Sequence, residues 1–100
     1  MIQFEWDENK NINNQKKHGI SFEEAAYVFS DRENISIPDI EHSEKEDRWI
    51  TIGNIKRHGI IIVVHTERIY GKLERIRIIS ARRAVESEEQ DYLENLGGKQ

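Results

Sequence analysis

The chain has 100 residues, one proline, no cysteine, 34% charged residues and a formal net charge of −4. These numbers exclude a disulfide framework, a thiolate metal site and a cysteine nucleophile, and they suit one domain, residues 1–100, around a modest core. No apolar run approaches the ~20 residues of a membrane span, and the amino terminus lacks a basic region leading into an apolar one, so the expectation is a cytoplasmic protein with no membrane contact.

Phe4-Glu5-Trp6 reads as a short strand with both aromatics on one side. Asp7 then suits the N-cap of a helix through His18, closed by Gly19. That helix is poor in apolar residues: Ile12 is its one aliphatic side chain, and Asn9, Asn11, Asn13 and Asn14 have weak helix propensity. It is expected to lie on the surface, held by Ile12 and by lysine stems. Ser21-Phe-Glu-Glu24 has the form of a capping box, with Ile20 placed to staple onto Ala25. The helix it opens runs to about Ser30 and buries Phe22, Ala25, Ala26, Val28 and Phe29. Asp31 to Asn34 forms a turn, Ile35-Ser-Ile37 a short strand ended by Pro38, and Asp39 to Asp47 a polar loop.

Three β-branched runs follow: Arg48 to Ile55, Gly59 to Thr66, and Glu74 to Ala81. Their short connections predict an antiparallel meander. Val85, Glu89, Tyr92, Leu93 and Leu96 then recur at helical spacing, with Gly97-Gly98 as the stop. The whole reads as α+β: an antiparallel sheet of three long strands plus short amino-terminal ones, with two amino-terminal helices and a carboxy-terminal helix gathered on one side.

Charge is unevenly spread. Between Arg48 and Arg83 nine basic residues face two acidic ones, a local +7, while the remainder of the chain carries −11. A sheet this basic predicts an anion-binding or partner-binding surface. Its cations are Arg48, Lys56, Arg57, Arg68, Lys72, Arg75, Arg77, Arg82 and Arg83, and arginine's planar fork suits phosphate. Just ahead of them, Asp39-Ile-Glu-His42-Ser-Glu44-Lys-Glu46-Asp-Arg48 brings an imidazole, a hydroxyl, carboxylates and a guanidinium into ten residues. Cleavage of RNA by transesterification needs such groups: a base for the 2′-hydroxyl proton, an acid for the departing 5′-oxygen, and cations for the charge building on phosphorus. The same loop also reads as a solvated acidic segment with ordinary ion pairs. The histidines form no zinc-type pair, so no metal or other cofactor is expected. Glycine-rich phosphate loops and the serine-hydrolase elbow are absent.

Five blocks carry a family resemblance: Phe4-Glu-Trp-Asp-Glu-Asn-Lys10, Lys17-His-Gly-Ile-Ser-Phe-Glu-Glu-Ala-Ala26, His42-Ser-Glu-x-Glu46-x-Arg48, Thr66-x-Arg68 and Ile79-Ser-Ala-Arg-Arg-Ala84. In this order they resemble the BrnT toxins of bacterial type II toxin–antitoxin systems, over about Phe4 to Tyr92. The resemblance implies a RelE/ParE-like α+β fold and a toxic endoribonuclease that blocks translation, acting with or without the ribosome. It also implies a BrnA-like ribbon-helix-helix antitoxin, with DNA contacted only through the toxin–antitoxin complex. On these positions the catalytic set is His42, Glu46, Arg48, Arg68 and Arg82, and the RNA-binding set is Arg75, Arg77, Arg83, Lys56 and Arg57. Two other classes fit the basic sheet: a non-enzymatic module docking an acidic partner, and a ParE-like inhibitor of a DNA enzyme.

Overall fold

The computed structural model describes residues 1–42 and 47–98, with side chains to Asn95. Strand β1 (Ile2–Glu5) starts ahead of the Phe4 to Trp6 pattern. Trp6 falls outside it and packs edge-on against Phe22, ring centroids 6.1 Å apart. Helix α1 (Glu8–His18) is capped by the Asp7 side chain, which accepts from the Lys10 amide at 3.1 Å. It ends on Gly19 at φ 72, a left-handed conformation that glycine adopts without a Cβ clash.

The buried face of α1 is polar. Ile12, expected to anchor the helix, is 44% exposed, while Asn11 and Asn14 are buried. The Asn11 carboxamide accepts from the Phe22 amide at 2.8 Å and donates to Glu8 and Glu23. Asn14 donates to the carbonyls of Ile20 and Ala81, both at 2.8 Å. Docking by satisfied amides replaces the missing apolar stripe.

Ser21 and Glu24 form the expected capping box, with both bonds at 3.0 Å. They open α2 (Phe22–Ala25), which tightens into a 3-10 turn over Ala26–Ser30. Strand β2 (Ile35–Pro38) is followed by a short 3-10 turn at Ile40–His42. Then come β3 (Arg48–Ile55), β4 (Gly59–Tyr70), β5 (Leu73–Arg83) and helix α3 (Glu86–Gly98).

The five strands form one sheet in the order β1-β5-β4-β3-β2. Strands β2 to β5 are antiparallel to their neighbours, but β1 pairs parallel to β5. The sheet is therefore mixed rather than purely antiparallel. Most of the chain lies between β1 and β5, which supplies the long crossover a parallel pair requires.

One face carries Ile61, Val63, Ile76, Ile78 and Ala81, which with Ile55 pack against Ile20, Phe22, Ala25 and Val28. Contact there is close: a Cβ on Gly53 would lie 2.5 Å from Val28 Cγ2, so glycine lets the 3-10 turn sit on β3. The helices are not gathered on one side. Tyr92 of α3 packs on Ile52 and Ile62, whose side chains leave the opposite face. Val85 and Leu93, expected in the buried stripe of α3, are 57% and 50% exposed.

A register shift between Val64 and His65 sets the placement of the basic residues. Val64 pairs with Ser80 and His65 with Ile78, leaving Ile79 as an extra residue on β5. The bulge reverses the alternation, so Ala81, Ile78 and Ile76 all face the first core. Arg82 consequently shares the other face with Arg77 and Arg75, although it is an odd number of residues from both.

Candidate nucleic-acid interface

Helix α3 covers only part of that second face. Toward the start of β3 and the end of β4 strand register builds a patch, in which Arg68 and Arg77 are exposed and Arg48 and Arg75 half-buried. Arg48 lies opposite Thr66, Thr66 opposite Arg77, and Arg77 opposite Glu5. Two residues along, Arg68 lies opposite Arg75, and Arg75 opposite Gln3. With strands ~4.8 Å apart and same-face residues ~7 Å apart along a strand, four guanidiniums rise from an area about the width of a nucleotide step or two. Glu5 is the one carboxylate among the strand residues of the two rows. It lies 3.9 Å from Arg75 Nε and 4.0 Å from Arg77 Nη1. These exposed pairs exceed hydrogen-bonding distance, so Glu5 offsets the two guanidiniums only weakly. Glu5, Thr66, Arg68, Tyr70, Arg75 and Arg77 line a cavity of about 330 Å³ within it.

His42 lies in the 3-10 turn that follows β2. Its Nδ1 is 3.0 Å from both carboxyl oxygens of Asp39, and its side chain is 62% exposed. The Asp39 amide donates to the Arg48 carbonyl at 2.8 Å, fixing this pair beside Arg48. Ser43, Glu44 and Glu46, the remainder of that acid–base block, lie outside the described residues.

The other candidates are placed elsewhere. Arg82 shares the face of the patch but is locked to Glu88 of α3 by two bonds of 2.8 Å. The pair raises the Arg82 pKa and lowers that of Glu88. Arg83 pairs with Ile61 and so leaves the opposite face, where its Nη2 is 3.4 Å from His58 Nδ1. His58 Nε2 in turn meets Glu24 at 2.9 Å. The Glu24 pKa falls to about 2 because the Ser21 amide and His58 both hold the carboxylate. Lys56 and Arg57 occupy the β3–β4 turn, about 24 Å along β3 from Arg48 at ~3.4 Å per residue. They rim a separate cavity of about 900 Å³ that reaches Tyr27, Asp31 and Tyr92. The expected basic set is thus split into a patch on the second face (Arg48, Arg68, Arg75, Arg77), an arginine paired with α3 (Arg82) and a distant group (Arg83, Lys56, Arg57).

Sequence reasoning passed over Glu5, Thr66 and Tyr70. Alternation from Phe4 placed Glu5 on the far face of β1, and extending β4 beyond Thr66 would have aligned Thr66, Arg68 and Tyr70.

The family model of the ribonuclease toxin BrnT of type II toxin–antitoxin systems matches residues 6–88. Among solved structures, the crystal structure of the Brucella abortus ribonuclease toxin BrnT is similar. The two are 26% identical with a TM-score of 0.62, over 86% of this chain and 100% of that one. No curated protein matches the chain. With its family match running from Trp6 to Glu88, the chain belongs to the BrnT family of ribonuclease toxins of type II toxin–antitoxin systems.

Proposed function

We propose that the protein is a cytoplasmic endoribonuclease toxin that binds RNA across the patch and cleaves it without a metal ion. One observation carries this reading: four arginines converge on one face of the sheet, with a histidine–aspartate pair joined to Arg48 through the Asp39 amide. The phosphodiester lies over Arg48 and Arg77, with Arg68 alongside. Asp39 holds Nδ1–H of His42, which leaves Nε2 as the lone-pair nitrogen able to take a proton from the 2′-hydroxyl. Glu46 is the partner acid that protonates the departing 5′-oxygen. The guanidiniums stabilise the extra charge on the phosphorane. The products are a 2′,3′-cyclic phosphate and a 5′-hydroxyl end.

His42 and Glu5 do not form the acid–base pair. Glu5 lies on β1, three strand spacings or roughly 14 Å at ~4.8 Å each from Arg48, and Asp39, the partner of His42, joins Arg48 from the β2 side. A ribbon-helix-helix antitoxin of the BrnA kind neutralises the toxin, and the two together contact operator DNA through the antitoxin.

The test is incubation of purified protein with RNA in the presence of chelator, with end-group analysis of the fragments. Cleavage leaving cyclic phosphate ends is the expected result. No cleavage, with or without added ribosomes, overturns the reading in favour of a docking module.

A further inference from the structure

The cavity between Tyr70 and Glu5 has features that phosphate binding does not explain. Among the described residues it has one carboxylate, Glu5, which accepts no hydrogen bond from them and reaches Arg75 and Arg77 only at 3.9 and 4.0 Å. Arg75 Nε is buried and has no hydrogen-bond partner. Buried donors without partners are rare and mark a missing water, ion or ligand. A carboxylate here weakens the hold on any phosphate, so its place in the cavity suits a ligand that presents donors as well as negative charge. Tyr70 supplies a third feature. Its side chain is half exposed, and the Arg75 guanidinium sits over the ring at 5.3 Å from the centroid.

From these features we infer that the cavity is a single-nucleotide subsite selective for guanine, with Tyr70 stacking the base and Glu5 reading its Watson–Crick edge. The inference rests on the part of the proposed function that has RNA bound at the patch, not on its cleavage. A volume of about 330 Å³ holds one nucleotide. Arg75 links the two ends of the site, being in contact with the ring on one side and 3.9 Å from Glu5 on the other, so one planar base spans them. Single-stranded RNA is read this way, by stacking on aromatic or guanidinium planes and by hydrogen bonds to splayed base edges.

Selectivity follows from the donor count. An ionised carboxylate only accepts, and it offers two oxygens side by side. Guanine alone presents two adjacent donors on that edge, N1–H and the N2 amino group. Adenine, cytosine and uracil each present one, next to an acceptor that the carboxylate repels. Arg68 and Arg77 then hold the flanking phosphates, directing the chain toward Arg48 and His42.

The test uses 2′-O-methyl pentanucleotides, which lack the attacking hydroxyl, with guanine, inosine or adenine at the centre of a uracil run. Binding to the full-length protein is followed by fluorescence anisotropy. Guanine is expected to bind at least about fivefold more tightly than adenine, with inosine between them because it keeps N1–H and lacks the amino group. Glu5→Gln should bring the three within about twofold of one another. Tyr70→Leu should weaken all three by about tenfold, and Tyr70→Phe should restore binding. Equal affinity in the unaltered protein, or a guanine preference that survives Glu5→Gln, overturns the inference. These outcomes are independent of the cleavage assay: loss of cleavage with intact guanine preference removes the ribonuclease reading and leaves the subsite standing.

Discussion

Asn14 and Ala81 are 67 residues apart, yet the Asn14 side chain bonds both main-chain groups of Ala81, donating to its carbonyl at 2.8 Å and accepting from its amide at 3.1 Å. The carboxamide thus acts as a short piece of strand, tying α1 to β5 at a point where the sheet is fully buried. Asn14→Ala leaves three main-chain groups without a partner, counting the Ile20 carbonyl. At roughly 1–3 kcal/mol for each buried unsatisfied group, partly relieved by relaxation, the loss should be about 2–4 kcal/mol. Asn14→Asp should cost a similar amount, since a carboxylate cannot donate to the two carbonyls. Urea unfolding measures both, and a shift below about 0.5 kcal/mol for either would show that the contact is dispensable.

The three long strands, both helix caps and the capping box were legible because each is written in local chemistry: β-branched runs, Asp7, Gly19 and the Ser21–Glu24 pair. The buried role of Asn11 and Asn14 was not, because an asparagine-rich helix looks the same whether its amides meet water or main chain. The parallel pairing of β1 depends on which edge of the sheet stays free, a property of the whole chain rather than of four residues. Half the candidate site was legible in the same sense. Arg75 and Arg77 alternate with Ile76 and Ile78, so their common face was plain, whereas the Ile79 bulge that brings Arg82 to that face and sends Arg83 to the other has no local signature.

Opposite faces make Arg77 and Arg83 a controlled pair. Arg77→Ala removes a guanidinium from the row between Arg48 and Glu5, where charge builds on the phosphorane. It should lower the rate of RNA cleavage by about 10²-fold and reduce the salt slope of RNA binding by about one. Arg83→Ala, on the face of α1 and α2, should stay within about twofold of the unaltered rate. Cleavage kinetics at two salt concentrations decide it; equal losses for both substitutions would move the RNA off the patch.

Arg82 is a structural residue on this geometry rather than a phosphate ligand. Both its terminal nitrogens are taken by Glu88, and Glu88 Oε1 also accepts from the Val85 amide at 2.9 Å, closing the turn into α3. Glu88→Gln should therefore destabilise the protein about as much as Arg82→Ala, on the order of 1 kcal/mol for a bidentate pair that is partly exposed. The double variant should cost little more than either single one. A double-mutant cycle on unfolding free energies measures this, and additive effects would mean that the two side chains do not act as a unit.

His65 ties stability to pH. It is completely buried, edge-on to Phe29 with ring centroids 4.8 Å apart, and its Nε2 shares a 2.6 Å hydrogen bond with the Thr51 hydroxyl. Thr51 passes the chain on to Ser36, also at 2.6 Å. Burial outweighs the main-chain contact with Thr66 that favours the charged form, and pushes the imidazole pKa from 6.5 down to about 4. The folded state therefore resists a proton that the unfolded chain accepts. The contribution of His65 to unfolding free energy should be constant above pH 6.5 and fall as pH drops from about 6.5 toward 4, by up to about 3 kcal/mol. Glu24 adds its own loss at lower pH, from about 4.5 toward 2, because its carboxylate must be protonated away from Ser21 and His58. His65→Gln keeps a partner for Thr51 but has nothing to titrate. Its stability should be flat between pH 6.5 and 4.5, then decline with the carboxylate. If the unaltered protein is equally flat across that interval, His65 is not held neutral by the fold.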